Sequence, residues 1–103
     1  MLTDLFGRFH FYRERFRGLY VYGSYARPDA GIDLGENSDL DVALILSDFD
    51  NVYDERERFG DITYDLSLQH GLVISVVPVK EGDFRKGQTN FTRAISQYAV
   101  PVK

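Results

Sequence analysis

The sequence predicts a small α/β or α+β domain, in which helices flank a mixed sheet of about three to four strands. Segments with apolar residues at helical spacing alternate with short runs rich in β-branched and aromatic side chains. Hydrophobic residues make up 44% of the 103 residues and aromatic residues 15%, which is typical of a globular chain. Because this length suits one domain, residues 1–103 are expected to form a single domain.

The N-terminal quarter is predicted to be a helix, a strand and a turn. Apolar side chains at helical spacing favour a helix over residues 3–17, with Gly18 as its C-terminal stop. The aromatic and β-branched run at 19–22 predicts a strand. The dipeptide Gly-Ser that follows predicts a turn, in which Ser24 would cap a short helix at 25–27.

The remaining elements follow from loop composition, apolar runs and capping residues. They are a polar loop at 28–38, a buried strand at 39–46, a helix from Asn51 or Asp54 to about 69, a strand at 73–79 ending near Pro78, a helix at 90–98 and a tail at 100–102. The long central helix should turn Phe59, Ile62 and Leu66 inward and end at Gly71. These elements alternate as the predicted fold class requires.

Composition excludes several kinds of site. Without cysteine the chain forms neither disulfides nor thiolate metal sites, and His10 and His70 lie too far apart in sequence to suggest a ligand pair. The net charge of −4 argues against binding duplex nucleic acid, although Arg8, Arg13, Arg15 and Arg17 crowd the N-terminal segment as a predicted solvated face. No apolar run is long enough to span a membrane, so a cytoplasmic protein without membrane contact is expected.

The strongest chemical signal is a pair of aspartates at the start of a buried strand. Asp39 and Asp41 are two residues apart, so their side chains project from the same face of the strand. Two carboxylates this close repel each other unless a cation lies between them. Mg²⁺ commonly binds one or two carboxylates together with phosphate oxygens and water. The pair therefore predicts a magnesium site that receives phosphates.

Phosphate contacts are expected from residues around this pair. Gly23 would let the backbone approach a phosphate closely, and Ser24 would add a hydroxyl donor. Arg27 could reach anionic oxygens, and Ser38 could orient the adjacent carboxylates. Each of these features alone also fits a structural role without function, such as a simple turn, a solvated strand edge or a surface charge. Their order along the chain favours a functional site.

This order resembles the nucleotidyltransferase superfamily typified by DNA polymerase beta, and more closely its minimal nucleotidyltransferases. Their signature, GSxAR followed by SDxD, matches GSYAR at 23–27 and SDLD at 38–41. The resemblance covers nearly the whole chain. It implies that Asp39 and Asp41 are the catalytic and metal-binding residues, and that Mg²⁺ holds a nucleoside triphosphate, with ATP expected. It also implies that the Gly-Ser turn binds the phosphates.

The chain departs from that family in two places. Active members place a third carboxylate on the next strand, where this sequence has Ser75. A serine hydroxyl is a weak neutral ligand and a poor base at neutral pH. The intervening loop, PDAGIDLGEN, is also longer than usual, and its acids are expected to keep it solvated. Nearby Asp61 and Asp65 are expected to face water from a helix.

Two functions therefore stand open from the sequence. The first is transfer of a nucleoside monophosphate, AMP from ATP, to a hydroxyl of a protein or small molecule. The second is a catalytically weak or inactive nucleotide-binding antitoxin or regulatory module that pairs with a helical HEPN-type partner, as similar proteins do in toxin–antitoxin systems. The aromatic-rich first helix could seat such a partner or a second copy of the chain, although a core role is favoured for most of its rings. A fold that binds nothing ranks last, because two unpaired acids would cost stability.

Overall fold

A computed structural model describes residues 2–23, 26–27, 31–32 and 39–102. A 3₁₀ helix at His10–Arg15 links the first helix to the first strand. The other elements are α1 (Leu2–Phe9), β1 (Phe16–Tyr22), β2 (Ala26–Arg27), β3 (Gly31–Ile32), β4 (Leu40–Leu46), α2 (Val52–His70), β5 (Ile74–Lys80), α3 (Glu81–Lys86), α4 (Asn90–Tyr98) and β6 (Val100–Pro101). No helix in this described part is long and apolar enough to cross a membrane.

The main sheet has four strands in the order β5-β4-β1-β6, and β2 pairs with β3 in a separate two-stranded ribbon. β1 runs antiparallel to both β4 and β6, whereas β4 and β5 are parallel. The parallel connection passes through α2, as parallel neighbours require a long crossover. The predicted mixed sheet flanked by helices is therefore confirmed.

Alternation along the strands divides the core into two layers. Leu40, Val42 and Leu44 of β4 belong to the larger layer, which α1, the 3₁₀ helix and α2 cover with rings such as Phe9 and Phe59. Ala43 and Ile45 belong to the smaller layer, beneath α3 and α4. Asp41 lies two residues before Ala43 on β4, and its side chain therefore projects from the same face. The candidate site therefore lies on the α3–α4 side of the sheet.

Several predicted elements are confirmed with their end signals. Asn51 caps α2 by accepting a hydrogen bond from the backbone N–H of Asp54, and Gly71 ends this helix with a φ of 68°. Phe59 and Leu66 are buried on its inner face, and Ile62 packs against the same core. The last helix has the predicted bounds, and it begins at a Thr89–Thr92 capping box.

The first predicted helix was too long. α1 ends at Phe9, the chain kinks at Arg13 (φ 52°), and residues expected in the helix form the start of β1. Arg13 ends the helical path because a positive φ is incompatible with a right-handed helix. The aromatic side chains of this segment mostly serve the core, as favoured: Phe9 and Tyr12 are buried, and only Phe11 reaches 46% exposure.

Shorter segments also differ from the prediction. The short helix at 25–27 is contradicted, because Ala26 and Arg27 pair with Gly31–Ile32 as a strand, and this pairing also interrupts the predicted loop. Pro78 does not end its strand, since β5 continues to Lys80 as an edge strand, where a missing N–H is tolerated. The tail at 100–102 contributes β6, and α3 was not predicted at all.

Candidate functional site

The antiparallel pairing of β1 with β4 brings Gly23 to the second of the paired aspartates. Tyr22, the last residue of β1, is the register partner of Asp41, the second residue of β4. Gly23 follows directly, so its backbone lies beside the Asp41 carboxylate. The order of these residues in the sequence predicted that Gly23 and the acids lie close together, and the strand register places Gly23 beside Asp41.

Gly23 is required at its position for two reasons. Its φ is +75°, in the left-handed region that side-chain-bearing residues rarely adopt. In addition, a Cβ at this position would lie 2.8 Å from Oδ2 of Asp41, which is too close for an undisturbed contact. The backbone therefore approaches the carboxylate more closely than any other residue type would allow.

Asp41 is a strained position electrostatically. Partial burial raises the pKa of its carboxyl group above the ordinary value, and the negative charge of Asp39 raises this pKa further. Asp39 itself is exposed. The two charges therefore repel each other, as their spacing predicted, and a cation placed between them would offset both this repulsion and the cost of keeping the partly buried Asp41 charged.

The third-carboxylate position lies directly beside Asp41. In the parallel register of β4 and β5, Ser75 is the partner of Asp41, and it is partly buried. The strand register therefore supports the prediction that Ser75 stands at the position of the third carboxylate. Asp61 and Asp65 do not substitute for it, since both are exposed on α2 and Asp65 pairs with Arg8 at 3.0 Å.

The other predicted phosphate-binding residues are Ser24, Arg27 and Ser38. Ser24 and Ser38 lie outside the described residues. Arg27 lies in β2, where it pairs with Gly31 in the two-stranded ribbon, so its backbone is extended rather than helical. These three remain predictions as phosphate contacts.

Two residues near the site were missed by sequence reasoning. Burial and the charge of Asp41 raise the pKa of the Tyr22 hydroxyl, whereas the positive charge of Arg56 lowers it. Tyr22 could have been noticed because it immediately precedes the Gly-Ser turn. Arg56 could not, because it lies in the first part of α2, and only the tertiary fold lets its charge act on Tyr22.

The donor set fits a magnesium–phosphate complex. Two aspartates supply hard oxygen ligands, which is the number that Mg²⁺ commonly takes from a protein when phosphates and water complete its shell. Among the described residues no group of three or more His, Cys, Asp and Glu side chains could hold a metal by itself. The two aspartates therefore suit a metal whose remaining ligands are phosphate oxygens and water.

Comparison with known proteins agrees with this geometry. The nucleotidyltransferase domain family matches residues 11–100, which include both strands of the site and every predicted site residue. No curated protein and no solved structure matches the chain significantly. The family match extends over nearly the whole sequence and confirms the predicted resemblance. The chain therefore belongs to the nucleotidyltransferase domain family, whose general activity is nucleotidyl transfer.

Proposed function

We propose that this protein binds a nucleoside triphosphate with Mg²⁺ and transfers its nucleoside monophosphate, AMP from ATP, to a hydroxyl of a protein or small molecule. The observation that supports this most directly is the contact zone between Gly23 and Asp41. There, a backbone that a ligand can approach closely lies beside a half-buried carboxylate, and the negative charge of Asp39 repels that of this carboxylate. A cation with phosphates satisfies this arrangement chemically.

Each residue has a defined task in this proposal. Asp39 and Asp41 hold Mg²⁺, which neutralises charge on the phosphates. The turn at Gly23 and Ser24 holds the β- and γ-phosphates, while Arg27 and Ser38 steady the remaining negative charge. Positioning and electrostatics provide most of the catalysis in phosphoryl-group chemistry, so few side chains are needed.

The transfer step needs only the nucleoside triphosphate and the acceptor hydroxyl as reactants. The acceptor oxygen forms a bond to the α-phosphorus, and the bond between this phosphorus and the bridging oxygen breaks. Pyrophosphate leaves with the electron pair. The hydroxyl proton passes to water, because the neutral hydroxyl of Ser75 is too weak a base to accept it at neutral pH.

Ser75 also favours a second candidate function. A protein that keeps two acids and lacks the third can bind nucleotide while turning over slowly, as a nucleotide-sensing antitoxin would. Its partner would be a helical HEPN-type protein. The register partnership of Ser75 with Asp41 supports this candidate, since a neutral side chain occupies the position beside Asp41 on β5.

Binding is tested by calorimetric titration of Mg²⁺ with α,β-methylene ATP, a nucleotide that cannot be cleaved at the reacting bond. We expect saturable binding to the wild type and none to Asp39→Asn/Asp41→Asn. Glu57→Gln/Asp61→Asn removes the same number of charges from the exposed face of α2 and should bind like the wild type. Equal loss in both double variants would reduce the effect to general charge, and a wild type that does not bind would overturn the proposal.

Catalysis is tested with water as the acceptor, by measuring formation of AMP and pyrophosphate from Mg²⁺-ATP. Ser75→Asp restores a carboxylate beside Asp41, and we expect it to raise the rate about 100-fold, since a positioned base commonly contributes that much. A wild type with measurable turnover supports transfer. A wild type without turnover beside an active Ser75→Asp variant supports the regulatory candidate.

A further inference from the structure

An open groove of about 530 Å³ lies over β5, on the same face of the sheet as Asp41. Its walls come from β5, from the segment that opens α2 and from the start of α4. Apolar and aromatic side chains dominate these walls, and Tyr53, Val77 and Phe91 are representative. Nothing in the proposed binding of Mg²⁺ and triphosphate uses this space.

Two residues that line the groove, Val77 and Phe91, are neighbours of residues in the candidate site. Val77 follows Ser75 by two residues, so both side chains lie on one face of β5 about 7 Å apart. On the other side, the ring of Phe91 contacts the ring of Tyr22 at a centroid distance of 5.4 Å, and Tyr22 is the register partner of Asp41. Residues of the groove are therefore neighbours of both register partners of Asp41, Ser75 and Tyr22.

Strand order then assigns the groove to one side of the reacting phosphorus. β4, with Asp41, lies between β1 and β5, so Gly23 and Ser75 flank the acid on opposite sides. In phosphoryl-group transfer the attacking and leaving oxygens lie roughly in line on opposite sides of the phosphorus. If the backbone at Gly23 holds the departing pyrophosphate, the attacking hydroxyl approaches from the Ser75 side, which is also the side on which Val77 lines the groove.

The rim of the groove carries negative charge. Asp50 and Asp83 line it, and neither carboxylate has an ion-pair partner within the part of the chain that the structure describes. The cation of the groove, Lys80, lies 3.6 Å from Asp48 and 5.4 Å from the centre of the Phe49 ring. The groove therefore attracts positive charge and disfavours phosphorylated or carboxylated molecules.

We propose that this groove binds the acceptor of the transfer reaction, and that the acceptor is a hydroxyl compound with an apolar or aromatic body and a positive charge. The inference rests on the proposed function and adds the chemical class of its second substrate. The body of the acceptor packs between Tyr53 and Phe91, its cation lies near Asp50 and Asp83, and its hydroxyl points along β5 toward Asp41.

Three probes of nearly the same shape test this inference: tyramine, 4-hydroxyphenethyl alcohol and 4-hydroxyphenylacetate, which are cationic, neutral and anionic. Amide chemical shifts of the uniformly labelled protein are followed by NMR while each probe is added in the presence of Mg²⁺ and α,β-methylene ATP. Tyramine should shift the amides of Tyr53, Val77 and Phe91 saturably. It should bind about threefold to fivefold more tightly than the neutral probe, as expected for one exposed charge contact, and the anion more weakly still.

Matched variants separate the groove from general effects. Tyr53→Ala should weaken tyramine binding severalfold, whereas Tyr64→Ala should not, although both tyrosines are exposed on α2 (79% and 68%). Only Tyr53 lines the groove. Asp50→Asn/Asp83→Asn should abolish the preference for the cation and leave binding of the neutral probe unchanged.

The nucleotide signals keep the two proposals distinguishable. Failure of the proposed function would leave the amides of Gly23 and Asp41 unmoved by Mg²⁺ and α,β-methylene ATP. The acceptor inference is overturned if tyramine shifts no groove amide or if the three probes bind equally. It is also overturned if the nucleotide analogue displaces tyramine, since the groove would then hold the nucleotide itself.

Discussion

Two carboxylates near opposite ends of β4 have opposite electrostatic surroundings. Beyond the end of the strand, Glu55 is only 1% exposed, and it pairs with Arg15 at 2.9 Å and with Arg58 at 3.1 Å. At its start, Asp41 is half-buried beside another acid, and the described residues give it no ion-pair partner. One carboxylate lies against two arginines, and the other lies beside a second carboxylate.

The difference separates an acid that is paired within the fold from one that the proposed function uses. Burial of a charge is tolerated when hydrogen bonds and opposite charges accompany it, and Glu55 meets this condition within the chain. Asp41 does not, so the folded state gains nothing from its charge. An acid that lacks a positive partner within the fold is expected where its role is to bind a cation rather than to stabilise the protein.

The largest expected effect is on the paired acid. Glu55→Gln keeps the shape of the side chain but removes the charge that two arginines share, so we expect the free energy of unfolding to fall by about 2 to 4 kcal/mol. Urea unfolding measures this change. Glu57→Gln, on the exposed face of the same helix, should change stability by less than about 0.5 kcal/mol. Equal effects would remove the distinction between paired and unpaired acids.

The next effect concerns the close approach of backbone to carboxylate. Gly23→Ala introduces a Cβ against Oδ2 of Asp41 at a positive φ, so we expect nucleotide affinity to fall about tenfold or more and stability to fall by about 1 to 2 kcal/mol. Gly60→Ala is the matched control, since nothing lies within 4 Å of its added Cβ and it lies within α2. This control should stabilise the protein by about 0.5 to 1 kcal/mol and leave binding unchanged.

The smallest effect concerns Tyr12, which packs beside the paired acid. Its buried hydroxyl has no hydrogen-bond partner among the described residues, and burial, followed by the charge of Glu55, raises its pKa from 10.0 to about 12. The folded state therefore favours the neutral phenol. The resulting stability is fully present below pH 10 and is lost as the pH rises through about 12.

Tyr12→Phe isolates this contribution. The variant should match or exceed the stability of the wild type at pH 7 by up to about 1 kcal/mol, because it removes an unsatisfied buried hydroxyl. Above pH 10 it should lose less stability than the wild type does. Parallel urea unfolding of both proteins from pH 8 to 11.5 provides the measurement, and identical pH profiles would contradict the assignment.

Much of the fold could be predicted because local signals and tertiary structure agree in β4, α2 and α4. Elsewhere tertiary contacts decided the outcome. Val100 and Pro101 form a strand only because β1 offers them a free edge, which the tail sequence does not reveal. The kink at Arg13 ends a helical pattern that hydrophobic spacing alone would have continued to Gly18.

The site was predictable to the extent that it is local. The spacing of Asp39 and Asp41 indicated a shared face, and a glycine after a strand indicated a turn. The register that places Ser75 beside Asp41, and the fold of α2 that brings Arg56 near Tyr22, are long-range properties. No local spacing rule relates residues that are tens of positions apart.

The central claim is that Asp39 and Asp41 cost stability until a cation with phosphates binds between them. Urea unfolding of the wild type and of Asp39→Asn/Asp41→Asn, with and without Mg²⁺ and α,β-methylene ATP, tests it directly. Without ligand, the double variant should be at least as stable as the wild type. With ligand at about 100 times its dissociation constant, only the wild type should gain about 2.7 kcal/mol. A double variant that is less stable without ligand, or that gains equally with it, would contradict the claim.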